Sequence, residues 1–130
     1  MGDSVSVSIK GEKELVAEFD AAIEALPPEA KKIVSKGSVN IKADTRRRWR
    51  GIAHAPRLPL SVSYDLTESA GEISSEIGPV DGPALQGFLG GIIEFGGIHN
   101  APRPGLLPAL AAEEPKFAQQ AEALLAKLLP

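Results

Sequence analysis

Val5, Val7 and Ile9 alternate with Ser4, Ser6 and Ser8, the period-two spacing of a half-buried strand, which Gly11 closes. From Glu12 the period changes. Leu15, Phe19, Ile23 and Leu26 fall three or four apart, which predicts a helix with one apolar stripe, interrupted at Pro27-Pro28. A proline suits the first turn of a helix, so a second helix is predicted from about Pro28 to about Gly51, on the order of 30 Å long. Ala30, Ile33, Val34, Gly37, Ile41, Thr45, Trp49 and Ile52 can share one of its faces, although Gly37, Ser38 and Asn40 lower its propensity. Beyond a connector from His54 to Pro59, Leu60, Val62, Tyr64 and Leu66 alternate with Ser61, Ser63 and Asp65. Thr67 to Gly71 reads as a turn and Ile73, Ser75 and Ile77 as the returning strand of a hairpin. Phe88 to Phe95 is predicted as a third apolar strand with Gly90-Gly91 inside it. Pro108 to Leu129 is predicted helical, with Leu110, Phe117, Ala121, Leu124 and Leu128 as its stripe. The predicted order is strand, helix, helix, three strands, helix. This is one α+β domain over residues 1–130, a small antiparallel sheet packed against a long N-terminal helical segment and a C-terminal helix.

Composition narrows the partners more than the fold. The aromatics are Phe19, Trp49, Tyr64, Phe88, Phe95 and Phe117, so the core must be mostly aliphatic. Thirteen glycines and eleven prolines stay below the roughly 25–30% of low-complexity chains and predict long loops. With no cysteine, disulfides, thiolate chemistry and sulfur-dependent zinc sites are excluded. The first residues lack a basic start and a long apolar run, so no secretory signal is expected. No window approaches the roughly 18 apolar residues of a membrane span. A formal charge of −3 gives no overall attraction to DNA or to an anionic membrane.

Two constellations stand out locally. Arg46, Arg47, Arg48, Trp49 and Arg50 could contact nucleic acid, since arginines neutralise phosphates and an indole can stack on a base. The plainer expectation is that the arginines solvate a helix end while Trp49 packs inward, with an acidic protein neighbour as the preferred contact. The second is Gly90 to Leu110, where Glu94 sits between Ile93 and Phe95 ahead of Gly96-Gly97, and Pro102, Pro104 and Pro108 surround Arg103. The glycines free the backbone and the prolines stiffen it, forcing an extended path. Period two would turn Glu94 away from its neighbours, toward solvent, a subunit or a cation, and Arg103 is one possible partner for it. Glu94 with His99 would be the pair to examine for a catalytic base, but no nucleophile, metal set or oxyanion motif stands near. His54 and His99 have no helical spacing, so metal binding has no support. The glycine pairs match no nucleotide fingerprint. No cofactor and no enzymatic activity are expected.

The segment resembles the signature of the tail-completion, or neck, proteins of long-tailed bacteriophages. Gly78-Pro79 is similar to that family's strand end, Ile92-Ile93-Glu94-Phe95-Gly96 to its acid-aromatic strand, and Ala101-Pro102-Arg103-Pro104 with Pro108-Ala109-Leu110 to its proline segment. Gly97 stands where the family often has Thr, and Gly105 where it often has Phe. The resemblance implies a structural virion protein of the phage neck, assembled in the host bacterial cytoplasm. It would form a ring, of six copies in the resembled assemblies, between the portal-connector complex and the tail tube. The partners so implied are copies of itself, connector or stopper proteins, and tail-terminator or tail-tube proteins, with DNA passing unread through the lumen. The extended arm from Gly96 to Pro108 is then expected to carry an intersubunit or neighbour-ring contact. Two alternatives stay open, a tail-terminator ring and a small DNA-binding module using Arg46 to Arg50.

Overall fold

The computed structural model describes residues 4–10, 16–22, 28–69, 72–82 and 84–128. Strands β1 (Ser4–Lys10) and β2 (Val16–Ala22) lead into helix α1 (Pro28–Arg48). A single turn, α2 (Leu58–Ser61), opens strand β3 (Val62–Ser69), which β4 (Glu72–Pro79) follows. A 3-10 turn at Gly87–Leu89 runs into α3 (Gly90–Phe95), and α4 (Leu106–Leu128) ends the described chain. The four strands form one antiparallel sheet in the order β1-β2-β4-β3. Sheet, α1 and α4 stack in that order, giving the α+β arrangement that the pattern predicts.

Helix α1 organises this stack. Pro28 occupies its first turn, Glu29 follows, and Arg46, Arg47 and Arg48 close it, a charge order that complements the helix dipole. Val34, Ser38, Ile41, Thr45 and Trp49 recur at helical spacing and are all buried. Of its two buried hydroxyls, Thr45 Oγ1 donates to the Ile41 carbonyl at 2.8 Å, while Ser38 bonds both the Val34 carbonyl and the Ser75 hydroxyl of β4. Those bonds remove the cost of burying polar groups under the sheet. From the sheet come Val62, Ile73 and Ile77, and from α4 Leu106, Leu110, Phe117 and Leu124. Asp65 and Glu76, on the alternate positions of β3 and β4, are exposed.

Two expected elements are different. Residues 16–22 form β2 rather than part of a helix; the expected helix ends at Glu12 and Leu26, like Gly11 and Gly71, lie outside the described residues. Ala17, Phe19 and Ala21 pair with Ile77, Ser75 and Ile73 of β4, so a period of two underlies the apparent spacing of three and four. A central strand bonded on both edges outweighs weak helical propensity. Residues 87–95 form the 3-10 turn and α3 rather than a third strand of the second hairpin. A short apolar run does not distinguish the two states. Here the segment closes hydrogen bonds within itself, Gly96 N donating to the Ile92 carbonyl at 2.8 Å. Smaller shifts occur at the ends: α4 begins at Leu106 with Pro108 inside its first turn, where no amide hydrogen is needed, and Leu60 and Ser61 belong to α2.

Candidate functional site

The segment from Glu94 to Leu107 closes the gap between the end of α1 and the start of α4. Gly96 ends α3 with φ of 84°, a left-handed conformation that favours glycine, and a β-carbon there would lie 2.9 Å from Pro102 Cδ. Gly97 and Asn100 then exchange backbone hydrogen bonds, 2.9 Å from the Gly97 amide and 3.3 Å from that of Asn100. Ile98 and His99 form the tip of this small loop, Ile98 being 97% exposed. The chain returns with Arg103 N donating to the Ile93 carbonyl at 2.7 Å.

Glu94 and Arg103 do not pair with each other. Glu94 is 1% exposed, and its Oε1 accepts from the amides of Gly105 and Leu106, each at 2.9 Å, while Oε2 accepts from Leu107 at 3.0 Å. These are amides that a helix start leaves without intrahelical partners, and a carboxylate suits the positive end of α4. Arg103 serves the opposite pole. Its Nε donates to the Arg48 carbonyl at 3.2 Å and its Nη2 to the Arg50 carbonyl at 2.6 Å, where the C-terminal end of α1 gathers negative charge. One short segment therefore holds an anion for one helix and a cation for another. Trp49 locks the two together, its Nε1 donating to the Arg103 carbonyl at 3.1 Å. A β-carbon on Gly105 would come within 2.6 Å of the same Nε1, so the indole fills the room a side chain would need. The expected period-two exposure of Glu94 fails because α3 is a helix that turns Ile93 and Glu94 inward together. Its carboxylate faces amides, and His99 stands on the exposed tip.

The basic run disperses instead of forming one patch. Trp49 is fully buried and presents no face to a nucleic-acid base. Arg46 Nη2 donates to the Val62 carbonyl at 2.9 Å, Arg47 and Arg48 both reach Asp44, and the Arg50 carbonyl belongs to the Arg103 clamp. Helical spacing separates side chains that sequence order puts together.

The expected arm is anchored in its own subunit at Gly97, Asn100, Arg103 and Gly105, with Pro102 and Pro104 exposed. The outward surface lies mainly just before it. Phe88 is 66% exposed, Phe95 54% and Ile92 46%, and at spacings of four and three they line one side of the 3-10 turn and α3. With Ile98 they make an apolar ridge that the sequence reading missed by treating the segment as a strand, although the helical spacing was present. Among the described residues, no group of three or more His, Asp or Glu side chains is placed to hold a metal, and no helix is long and apolar enough to cross a membrane. Comparison with known proteins finds no matching family model, no matching curated protein and no matching solved structure.

Proposed function

We propose that this chain is a structural subunit of a bacteriophage neck, one copy of a ring that joins the portal-connector complex to the tail tube and lets DNA pass. The observation that carries the proposal is the division of labour within the motif segment. Glu94, Arg103 and Gly105 hold helix ends together inside the subunit, while Phe88, Ile92, Phe95 and Ile98 face outward. Exposed apolar side chains in a row along one side of a short helix suit a protein contact. The resemblance of Ile92–Gly96, Ala101–Pro104 and Pro108–Leu110 to the tail-completion signature supplies the partner class. In this proposal the neighbouring ring of the neck meets the apolar ridge, in place of the arm's prolines.

The test is the solution mass of the protein alone and mixed with connector or tail-tube proteins, for wild type and for Phe88→Ser/Phe95→Ser. Wild type is expected to co-elute with connector proteins, and the double variant to lose at least tenfold in affinity with an unchanged unfolding midpoint, because both rings are already exposed. Binding to tube protein alone would assign a tail-terminator role instead. A stable monomer that ignores every virion protein yet binds duplex DNA would overturn the proposal.

A further inference from the structure

Strand β3 stands last in the order β1-β2-β4-β3, so one of its sides is a sheet edge. The Val80 amide donates to the Ser61 carbonyl at 2.9 Å, which sets the alternation that follows. Ser63, Asp65 and Thr67 exchange bonds with β4, while Val62, Tyr64, Leu66 and Glu68 turn their N–H and C=O groups away from it. Two observations agree with that phase. Pro79, which has no N–H, is the register partner of Val62, and the Val62 carbonyl accepts from Arg46 Nη2 at 2.9 Å instead of from β4. The Val62 amide donates to the Pro59 carbonyl. The edge therefore consists of the amides and carbonyls of Tyr64, Leu66 and Glu68, with which no strand among the described residues pairs.

Proteins guard such edges with proline, lysine or a bulge. Strand β3 reads Val-Ser-Tyr-Asp-Leu-Thr-Glu-Ser, with neither proline nor lysine, and its register with β4 runs one for one over eight residues without a bulge. Helix α1 runs alongside it in the opposite direction. Arg46 meets Val62, Lys42 Nζ stands 5.4 Å from the centre of the Tyr64 ring, and Lys31 Nζ binds Glu68 Oε1 at 2.9 Å. Between the Lys42 and Lys31 contacts a hollow of about 530 Å³ opens, lined by Lys31, Lys32, Ser35, Lys36 and Leu66. Glu68 engages Lys31, and Asp65, one position before Leu66, alternates onto the other face of the sheet. Among the described residues no acid pairs with Lys32 or Lys36, and both are exposed. The hollow is cationic with one apolar wall.

We infer that the groove between α1 and the free edge of β3 takes up an extended segment of a partner protein as a fifth strand, its acidic side chains turned toward Lys32 and Lys36. A strand added there lies about 4.8 Å beyond β3. Its main chain bonds three alternate residues, which supplies affinity, and the side chains on its helix side enter the hollow, which supplies selectivity. Leu66 marks that side, because its register partner Ser75 bonds Ser38 of α1. An apolar side chain of the incoming strand meets Leu66, and acids next along the same side reach the lysines. A basic segment is repelled by them. The inference does not depend on the neck proposal, whose contact is the ridge of Phe88, Ile92 and Phe95.

Amide-resolved NMR of the full chain tests it, with the peptide Ac-Thr-Glu-Thr-Val-Thr-Glu-Thr-NH2 added to about 5 mM, enough to fill most of a site of millimolar Kd. The amides of Tyr64, Leu66 and Glu68 are expected to shift downfield and to exchange more slowly. Those of Ser63, Asp65 and Thr67, already bonded to β4, are expected to change less. Charge attraction alone does not produce that alternation. Replacing both glutamates of the peptide with lysine is expected to weaken binding at least tenfold, and Lys32→Glu/Lys36→Glu to reverse the preference. Glu68→Pro removes one edge donor without touching a bond to β4, and is expected to bind about fivefold more weakly than Glu68→Ala, which keeps it. Both variants lose the Lys31 ion pair, so the difference reports the backbone bond. No response at the three edge amides, a response without the alternation, or equal binding of the lysine peptide would each overturn the inference. So would shifts at the same amides that depend on protein concentration without peptide, since a second copy would then fill the edge.

Discussion

Glu94 shows how a residue's place in sequence can misstate its work. An acid inside the run Ile92-Ile93-Glu94-Phe95 invites a role in chemistry or in binding, yet its carboxylate is held by the amides of Gly105, Leu106 and Leu107. It acts as a helix cap supplied from another element. Replacing it with Gln keeps the shape but removes the charge and turns an amide donor toward one of those N–H groups. Glu94→Gln is therefore expected to lower stability by about 1–3 kcal/mol, read from the urea midpoint at constant slope. An unchanged midpoint would show that the carboxylate does not support α4. The three acceptor contacts join residues 11 to 13 apart in sequence, and an N-terminal capping pattern, which looks within four residues of a helix start, does not reveal them.

At the scale of elements, the end of α1 and the start of α4 are joined by one clamp of Trp49, Glu94 and Arg103. Arg103→Ala removes the two donors to the Arg48 and Arg50 carbonyls and leaves the Trp49 bond to the backbone of residue 103 in place. Hydrogen exchange is expected to quicken at the Trp49 and Arg50 amides, which bond Thr45 and Arg47, while the middle of α4 keeps its protection. Equal acceleration along both helices would mean that the arginine supports the whole packing instead of one terminus. Elements differed in how plainly the sequence announced them. Helix α1, strands β1, β3 and β4, and α4 carry a clear period over most of their length. Strand β2 does not, because small alanines and two acids leave Phe19 as its single large apolar side chain, and its pairing with β1 and β4 decides its state. Segment 87–95 does not either, because glycines dilute its pattern and both periods fit an apolar run this short.

For the whole molecule, α1 lies between the sheet and α4 and shares its core with both, so neither layer keeps a buried face without it. Unfolding is expected to be a single transition. Trp49, the chain's only tryptophan, sits where α1, α4 and the clamp meet, and its fluorescence is expected to trace the same urea curve as the far-ultraviolet circular dichroism. A tryptophan signal that changes at lower urea would show the clamp opening before the layers separate. An apolar ridge at Phe88, Ile92 and Phe95 is also a property of the folded molecule.

By itself the sequence determined the α+β class, the long helices and the second hairpin, because local periodicity records which side of an element meets the core. It also singled out Gly90 to Leu110, because glycines and prolines so densely placed constrain the backbone wherever they occur. What these residues do was decided by tertiary structure. Carboxylate, guanidinium and indole reach partners on other elements, up to 55 positions away, and hydrogen bonds and packing are settled by distance in space, which a one-dimensional pattern does not contain.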